Sequence, residues 1–224
     1  MKKIASQFKK GFTILEMLMV LAIFGILTAV IMFNYGEFNS RTIMTNMAYE
    51  AALSIRQAQV YSLSVRGNVG IPNFDNNYGI YVNPTIDNKS FAFFIDRAEN
   101  GVTDGACNAD GTCLSCSATD SECLEKISLT RDVVVARICV SLDQQYVVDR
   151  GTGLCSQGNQ SEVSELTLTF ERPNPDAVVR TDSGIVPGAN VAIVLKTSYG
   201  NQRAIIVKST GLISVEPIGN ESSI

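Results

Sequence analysis

Between Phe12 and Phe33 the chain runs for 22 residues with Glu16 as the one charge, directly behind a leader that carries Lys2, Lys3, Lys9 and Lys10. At ~1.5 Å of rise per residue a helix of that length reaches roughly 33 Å, the thickness of a bilayer's hydrocarbon core. The segment is therefore expected to span a membrane. A removable secretory signal also starts basic, but its apolar region is about 7 to 15 residues long and ends in a small-x-small cleavage site. Here the run is longer, and Leu27-Thr28-Ala29 is a poor site of that kind. Four lysines precede the span and one arginine, Arg41, lies in the 17 residues after it. That bias places the amino terminus in the cytoplasm and the chain beyond residue 33 outside.

The helix is expected to continue past the span. Pro is absent from 12 to 71, and Met44, Met47, Ala48, Ala51, Ile55, Ala58, Ser62 and Val65 recur at three- and four-residue steps. This spacing marks one apolar helical face, which needs a cover and is expected to pack on the domain that follows. Gly67 and Gly70 then end the helix. Four segments result: a cytoplasmic leader 1–11, a spanning helix 12–33, an amphipathic continuation 34–66 and an extracytoplasmic, β-rich domain 67–224.

Composition narrows the chemistry. The 224 residues contain no His and no Trp, which excludes an imidazole base, Ser-His-Asp and Cys-His arrangements and His-ligated metals. The formal net charge is −4, yet after the four leader lysines 14 basic residues face 22 acidic ones. Residues 12–66 balance, so the acidic excess belongs to 67–224, and nonspecific nucleic-acid binding is not expected.

An acidic side chain inside a spanning helix costs on the order of 3 kcal/mol at the bilayer centre, less near an end, and asks for a cation. An α-amino group created by cutting the chain just before the apolar run would supply one. The residues there are Lys9-Lys10-Gly11-Phe12-Thr13-Ile14-Leu15-Glu16. A basic leader, a Gly, then Phe-Thr-x-x-Glu and an unbroken apolar helix resembles the type IV prepilin and type II secretion pseudopilin signature. The resemblance implies that a prepilin peptidase cuts after Gly11 and methylates Phe12. It further implies that Glu16 pairs with the Phe12 amino group of a neighbouring subunit as the helices leave the lipid and pack into a filament. Such a buried pair would serve register more than raw stability. Many major pilins carry a Pro inside this helix; this chain has Gly25 and no Pro there, so local melting of the helix is not implied. The implied partners are the peptidase, other pilin or pseudopilin subunits, the inner-membrane assembly machinery and, before assembly, membrane lipid; no cofactor is implied.

Beyond the helix, apolar and β-branched runs predict strands at 78–82, 91–95, 133–141, 146–149 and 165–170. Three more, at 191–197, 203–209 and 212–215, read as an antiparallel meander. The expected fold is α+β and pilin-like: a long amino-terminal helix packed on an antiparallel β-sheet, with a Cys-rich loop. Residues 203–215 also resemble the closing hairpin of a minor pseudopilin found near the tip of type II secretion filaments. The stretch Arg172-Pro-Asn-Pro-Asp176 is expected to turn between strands.

Six cysteines, Cys107, Cys113, Cys116, Cys123, Cys139 and Cys155, lie in one stretch. Their even number and the exported location favour structural disulfides, and six allow fifteen pairings. Cys139 and Cys155 flank a strand-turn-strand pattern centred on 149–153 and are expected to pair, leaving four to staple the loop. Cys113-x-x-Cys116 lacks the second pair that a zinc ribbon needs. Asp104, Asn108 and Asp110 are the oxygens an irregular calcium site would use, but a hand-type loop would have Ala106 first and Ser117 twelfth, so no metal is assigned.

Two functions remain: a subunit, in a minor role, of a type IV pilus or type II secretion-like filament, or a single-pass membrane-anchored extracytoplasmic binding domain. A plain anchor has no use for Glu16 or for Gly11-Phe12 at the membrane edge, so the filament reading is preferred. No catalytic set is assembled, and an enzyme is not expected.

Overall fold

In the computed structural model the described residues are 11–64, 76–97, 101, 122–130, 132–142, 147–155 and 160–219. Helix α1 (Ile14–Leu63) crosses the boundary between two compact units, which divide after Asn39. The second unit holds the folded core, and residues 40–63 are its helix.

That helix buries the face its spacing predicts. Met44, Ala48, Ala51, Ile55, Ala58 and Ser62 are buried, Ala52 and Gln59 join them, and Met47 is partly buried. Four of the buried positions are alanines, which let the backbone approach the strands closely. Met44 and Ile55 supply the bulk, each worth about 1.5–3 kcal/mol on full burial. Val65, Gly67 and Gly70 lie outside the described residues.

The antiparallel strands on which the helix packs divide into two sheets, where the sequence reading had one. The first contains β1 (Asn77–Val82), β2 (Ser90–Asp96), β3 (Cys123–Ser128), β6 (Leu166–Phe170), β7 (Ala177–Thr181) and β8 (Gly184–Ile185), in the order β3-β2-β1-β6-β7-β8. The second contains β4 (Val134–Ser141), β5 (Gln160–Val163), β9 (Asn190–Lys196), β10 (Gln202–Val207) and β11 (Ile213–Ile218), in the order β11-β10-β9-β4-β5. Neighbouring strands are antiparallel throughout, and β9-β10-β11 form the meander read from the sequence. One core joins the helix to both sheets, through residues such as Ile80, Phe91, Leu168 and Phe170 of the first and Ile138, Ile193, Leu195 and Ile205 of the second.

Two polar side chains fasten the helix. Ser62 Oγ accepts from Tyr78 N–H at 2.8 Å and donates to the Tyr78 carbonyl at 3.2 Å, joining the last helical turn to β1. Beside it Tyr61 meets Tyr78 and Phe93 edge-on at ring separations of 5.6 and 5.7 Å. One turn earlier Gln59 Nε2 donates to the Pro175 and Gly211 carbonyls, both at 2.9 Å, while its Oε1 accepts from Arg56 at 2.6 Å. Residues 172–176 do turn between strands, here β6 and β7, and Gln59 holds that turn against the β10–β11 turn. Gly211 suits the meeting point: its φ is +79°, and a Cβ there would lie 2.0 Å from the Pro175 carbonyl oxygen. Gln59→Leu keeps the bulk but strips both carbonyls of their donor. The variant is expected to lose about 2 kcal/mol, read as a lower denaturation midpoint of the full chain in detergent; an unchanged midpoint would refute the fastening role.

The far face of the second sheet is covered by its own connection. Val147 and Val148 pack with Cys139, Ala192, Val194, Ala204, Ile206 and Ile218. The segment is tied by the Cys139–Cys155 disulfide, the pair expected from the sequence, and by a Val148–Cys155 bridge. It therefore lies over the sheet as a flap, where the sequence reading placed a strand at 146–149. Asp149 Oδ1 accepts from Gly151 N–H at 2.7 Å and Thr152 N–H at 2.9 Å, and these backbone bonds hold its carboxyl below the usual range. Arg150 pairs with Glu216 of β11 at 2.7 Å.

Candidate processing and assembly site

The first unit presents the apolar stretch bare. Gly11, Phe12 and Thr13 precede the helix without regular structure, and every side chain from residue 11 to residue 32 is exposed. Phe12 is 77% exposed and Ile14 83%. Fully burying one such side chain is worth about 1.5–3 kcal/mol, so a run of them requires lipid or other apolar helices around it. Its polar groups suit such surroundings, since Thr28 Oγ1 donates to the Phe24 carbonyl at 2.8 Å within the helix.

Thr13 begins the helix. Its carbonyl accepts from Met17 N–H at 3.1 Å, the first intrahelical bond, and its Oγ1 accepts from Glu16 N–H at 3.2 Å. These are the two marks of an N-cap residue. Glu16 thus sits in the first turn, where the positive end of the helix dipole favours a carboxylate by about 0.3–1 kcal/mol. Its backbone N–H is satisfied by the cap, and its carboxylate makes no hydrogen bond or ion pair with a described residue. That carboxylate is open to a partner from outside. Gly11 is not required by packing either, since a Cβ there would meet nothing within 4 Å.

Gly11, Phe12 and Glu16 therefore lie within one turn of the helix start. Residues 7–32 match the prokaryotic N-terminal methylation motif. This is the type IV prepilin and pseudopilin signal, and the matched segment takes in Gly11, Phe12, Glu16 and nearly all of the apolar stretch. No curated protein and no solved structure matches the chain. The motif implies processing by prepilin peptidase and assembly with other pilin subunits, and its family is one of structural subunits rather than enzymes. With the apolar helix, it fits membrane anchoring followed by a pilus-type filament.

The sequence reading passed over Thr13. The pattern Thr13-x-x-Glu16 before an apolar run is a capping-box signature and was legible as such. In the structure the hydroxyl half of that box is made.

The remaining candidates lie elsewhere. Cys107, Cys113, Cys116, Asp104, Asn108 and Asp110 fall outside the described residues. Cys123 opens β3 and is disulfide-bonded. Among the described residues no three His, Cys, Asp or Glu side chains gather as metal ligands. The perturbed acids have local causes. Burial, and then the neighbouring Asp182, push the Glu165 carboxyl up. Burial also raises Asp87, but bonds from the Ser90 hydroxyl, Lys89 N–H and Lys126 outweigh it and hold that carboxyl below the usual range.

Proposed function

We propose that this chain is a subunit, in a minor role, of a type IV pilus or type II secretion-like filament. Prepilin peptidase cuts it after Gly11 and methylates Phe12. Before the cut, residues 12–33 hold it in the inner membrane as a single-pass protein, with leader 1–11 in the cytoplasm and 67–224 outside. The assembly machinery then draws the apolar helix from lipid into a bundle of like helices. There the Glu16 carboxylate pairs with the Phe12 amino group of a neighbour. The observation that carries this reading is the methylation motif seated on an exposed apolar helix, with Gly11-Phe12 just outside the helix start and Glu16 in its first turn. The Cys-rich segment and the closing strands at 203–215 support the minor placement.

Mass spectrometry tests both parts. Coexpression with a prepilin peptidase is expected to give a mature chain that begins at methylated Phe12, and expression without it a chain that keeps the leader. In sheared filaments the mature chain is expected well below the abundance of the bulk subunit. An uncut chain beside an active peptidase would overturn the processing and return the protein to a plain anchor. Abundance equal to the bulk subunit would overturn the minor role alone.

A further inference from the structure

The Thr13 hydroxyl fixes where α1 begins, and the bond to be cut lies two residues before it. Both Thr13 contacts are backbone-directed: the carbonyl takes Met17 N–H at 3.1 Å and the hydroxyl takes Glu16 N–H at 3.2 Å. With the hydroxyl in place, Gly11-Phe12 stays outside the helix. Without it, the Glu16 N–H has no acceptor in low-polarity surroundings, where an unmet backbone donor is costly. The nearest remedy is two further i→i−4 bonds, from Glu16 N–H to the Phe12 carbonyl and from Leu15 N–H to the Gly11 carbonyl, which move the cap to Gly11 and engage the carbonyl of the scissile peptide. Neither Phe12 nor Gly11 has a side chain that can accept the orphaned N–H groups in place of Thr13.

In that form the scissile carbonyl is engaged in the helix and the Phe12 side chain is set around its axis. A protease that must reach that carbonyl meets it more readily in an extended segment. We infer that Thr13 is a positioning residue for prepilin processing, holding Gly11-Phe12 in the non-helical form that the peptidase takes up. The inference rests on the processing reading above and concerns the conformation of the substrate. Gly11 agrees with it: nothing in this chain's own packing fills the space around its Cα, and glycine resists being drawn into a helix.

If the peptidase takes up the extended form alone, a smaller extended fraction raises KM by that factor and leaves kcat unchanged. Loss of an ordinary N-cap corresponds to about a fivefold change in such an equilibrium. The test uses full-length precursor in proteoliposomes with active peptidase, the fraction cut being read by intact mass. Thr13→Val keeps the branched shape and lacks the acceptor. It is expected to raise KM, by at most about fivefold, at unchanged kcat. Thr13→Ser and Thr13→Asn both restore a cap, the second with a different shape, and both are expected to return KM to the wild-type value. A Thr13→Val chain cut as readily as wild type would overturn the inference while leaving the processing reading intact. Rescue by Ser but not Asn would also overturn it, assigning the hydroxyl to direct contact with the peptidase. An uncut wild-type chain would overturn both readings together.

Discussion

Glu16→Val is expected to be inserted and cut like the wild type and to be nearly absent from filaments. Insertion gains from the change, because an acidic side chain in the span costs up to about 3 kcal/mol and valine costs nothing comparable. Cleavage is spared because the Thr13 cap bonds the backbone N–H of residue 16, which valine retains. The loss comes at assembly. In the proposed bundle the Phe12 amino group would be buried opposite an apolar side chain, and removing one partner of a buried pair costs about 3–5 kcal/mol. That corresponds to a hundredfold or greater shift, on the order of 1.4 kcal/mol per factor of ten. Fractionation of membranes and sheared filaments measures it directly. Normal incorporation of the variant would show that Glu16 has no partner in the assembled state.

In the folded domain a large loss of stability is expected from substitution at Gly79. This residue lies in β1, opposite Phe94 of β2 and Thr169 of β6. The Phe94 ring, fully buried, covers it: a Cβ at 79 would lie 2.7 Å from ring carbons and 2.5 Å from the Leu168 carbonyl oxygen. One obstacle is backbone and the other a fully buried ring. Gly79→Val is expected to destabilise the domain by about 3 kcal/mol, the upper end of ordinary overpacking. Gly79→Ala should follow the same direction with a smaller loss. Chemical denaturation of the full chain in detergent reads the change, and a midpoint within error of wild type would refute the covering role of Phe94.

The parts of the fold that were legible in the sequence are those where local pattern and burial agree. The helical face from Met44 to Ser62 was readable because its period matches a single covered stripe. β1, β2, β4, β6 and the β9-β10-β11 meander were readable as dense apolar, β-branched runs. β3 (Cys-Leu-Glu-Lys-Ile-Ser) and β5 (Gln-Ser-Glu-Val) were not, because both are edge strands, whose polar side chains face water and mimic a loop. β7 was passed over beside the Pro-rich turn, and β8 has two residues. The division into two sheets had a weak signal. Runs such as Phe91–Ile95 and Val191–Leu195 are apolar at every position, which marks strands covered on both faces. The candidate site was legible for the opposite reason: Gly11, Phe12 and Glu16 are neighbours in the chain, and no folding was needed to bring them together. Thr13 was missed because its role is to place a helix boundary, which a motif read for charge and cleavage passes over.

The flap over the second sheet dates the completion of the fold. Cys139 lies in a central strand with no exposed surface, and its disulfide ties down the segment that covers Val194, Ala204 and Ile206. In a reducing cytoplasm that tie is absent, so under the proposed topology the chain would cross the membrane with one face of its sheet still open. Closure would then belong to the oxidising side of the membrane. Once made, the bond is open to an attacking thiolate only from the partly buried Cys155, because Cys139 has no exposed surface and exchange depends on access to the sulfur. With the proposed topology, completion of this domain would thereby be timed by export.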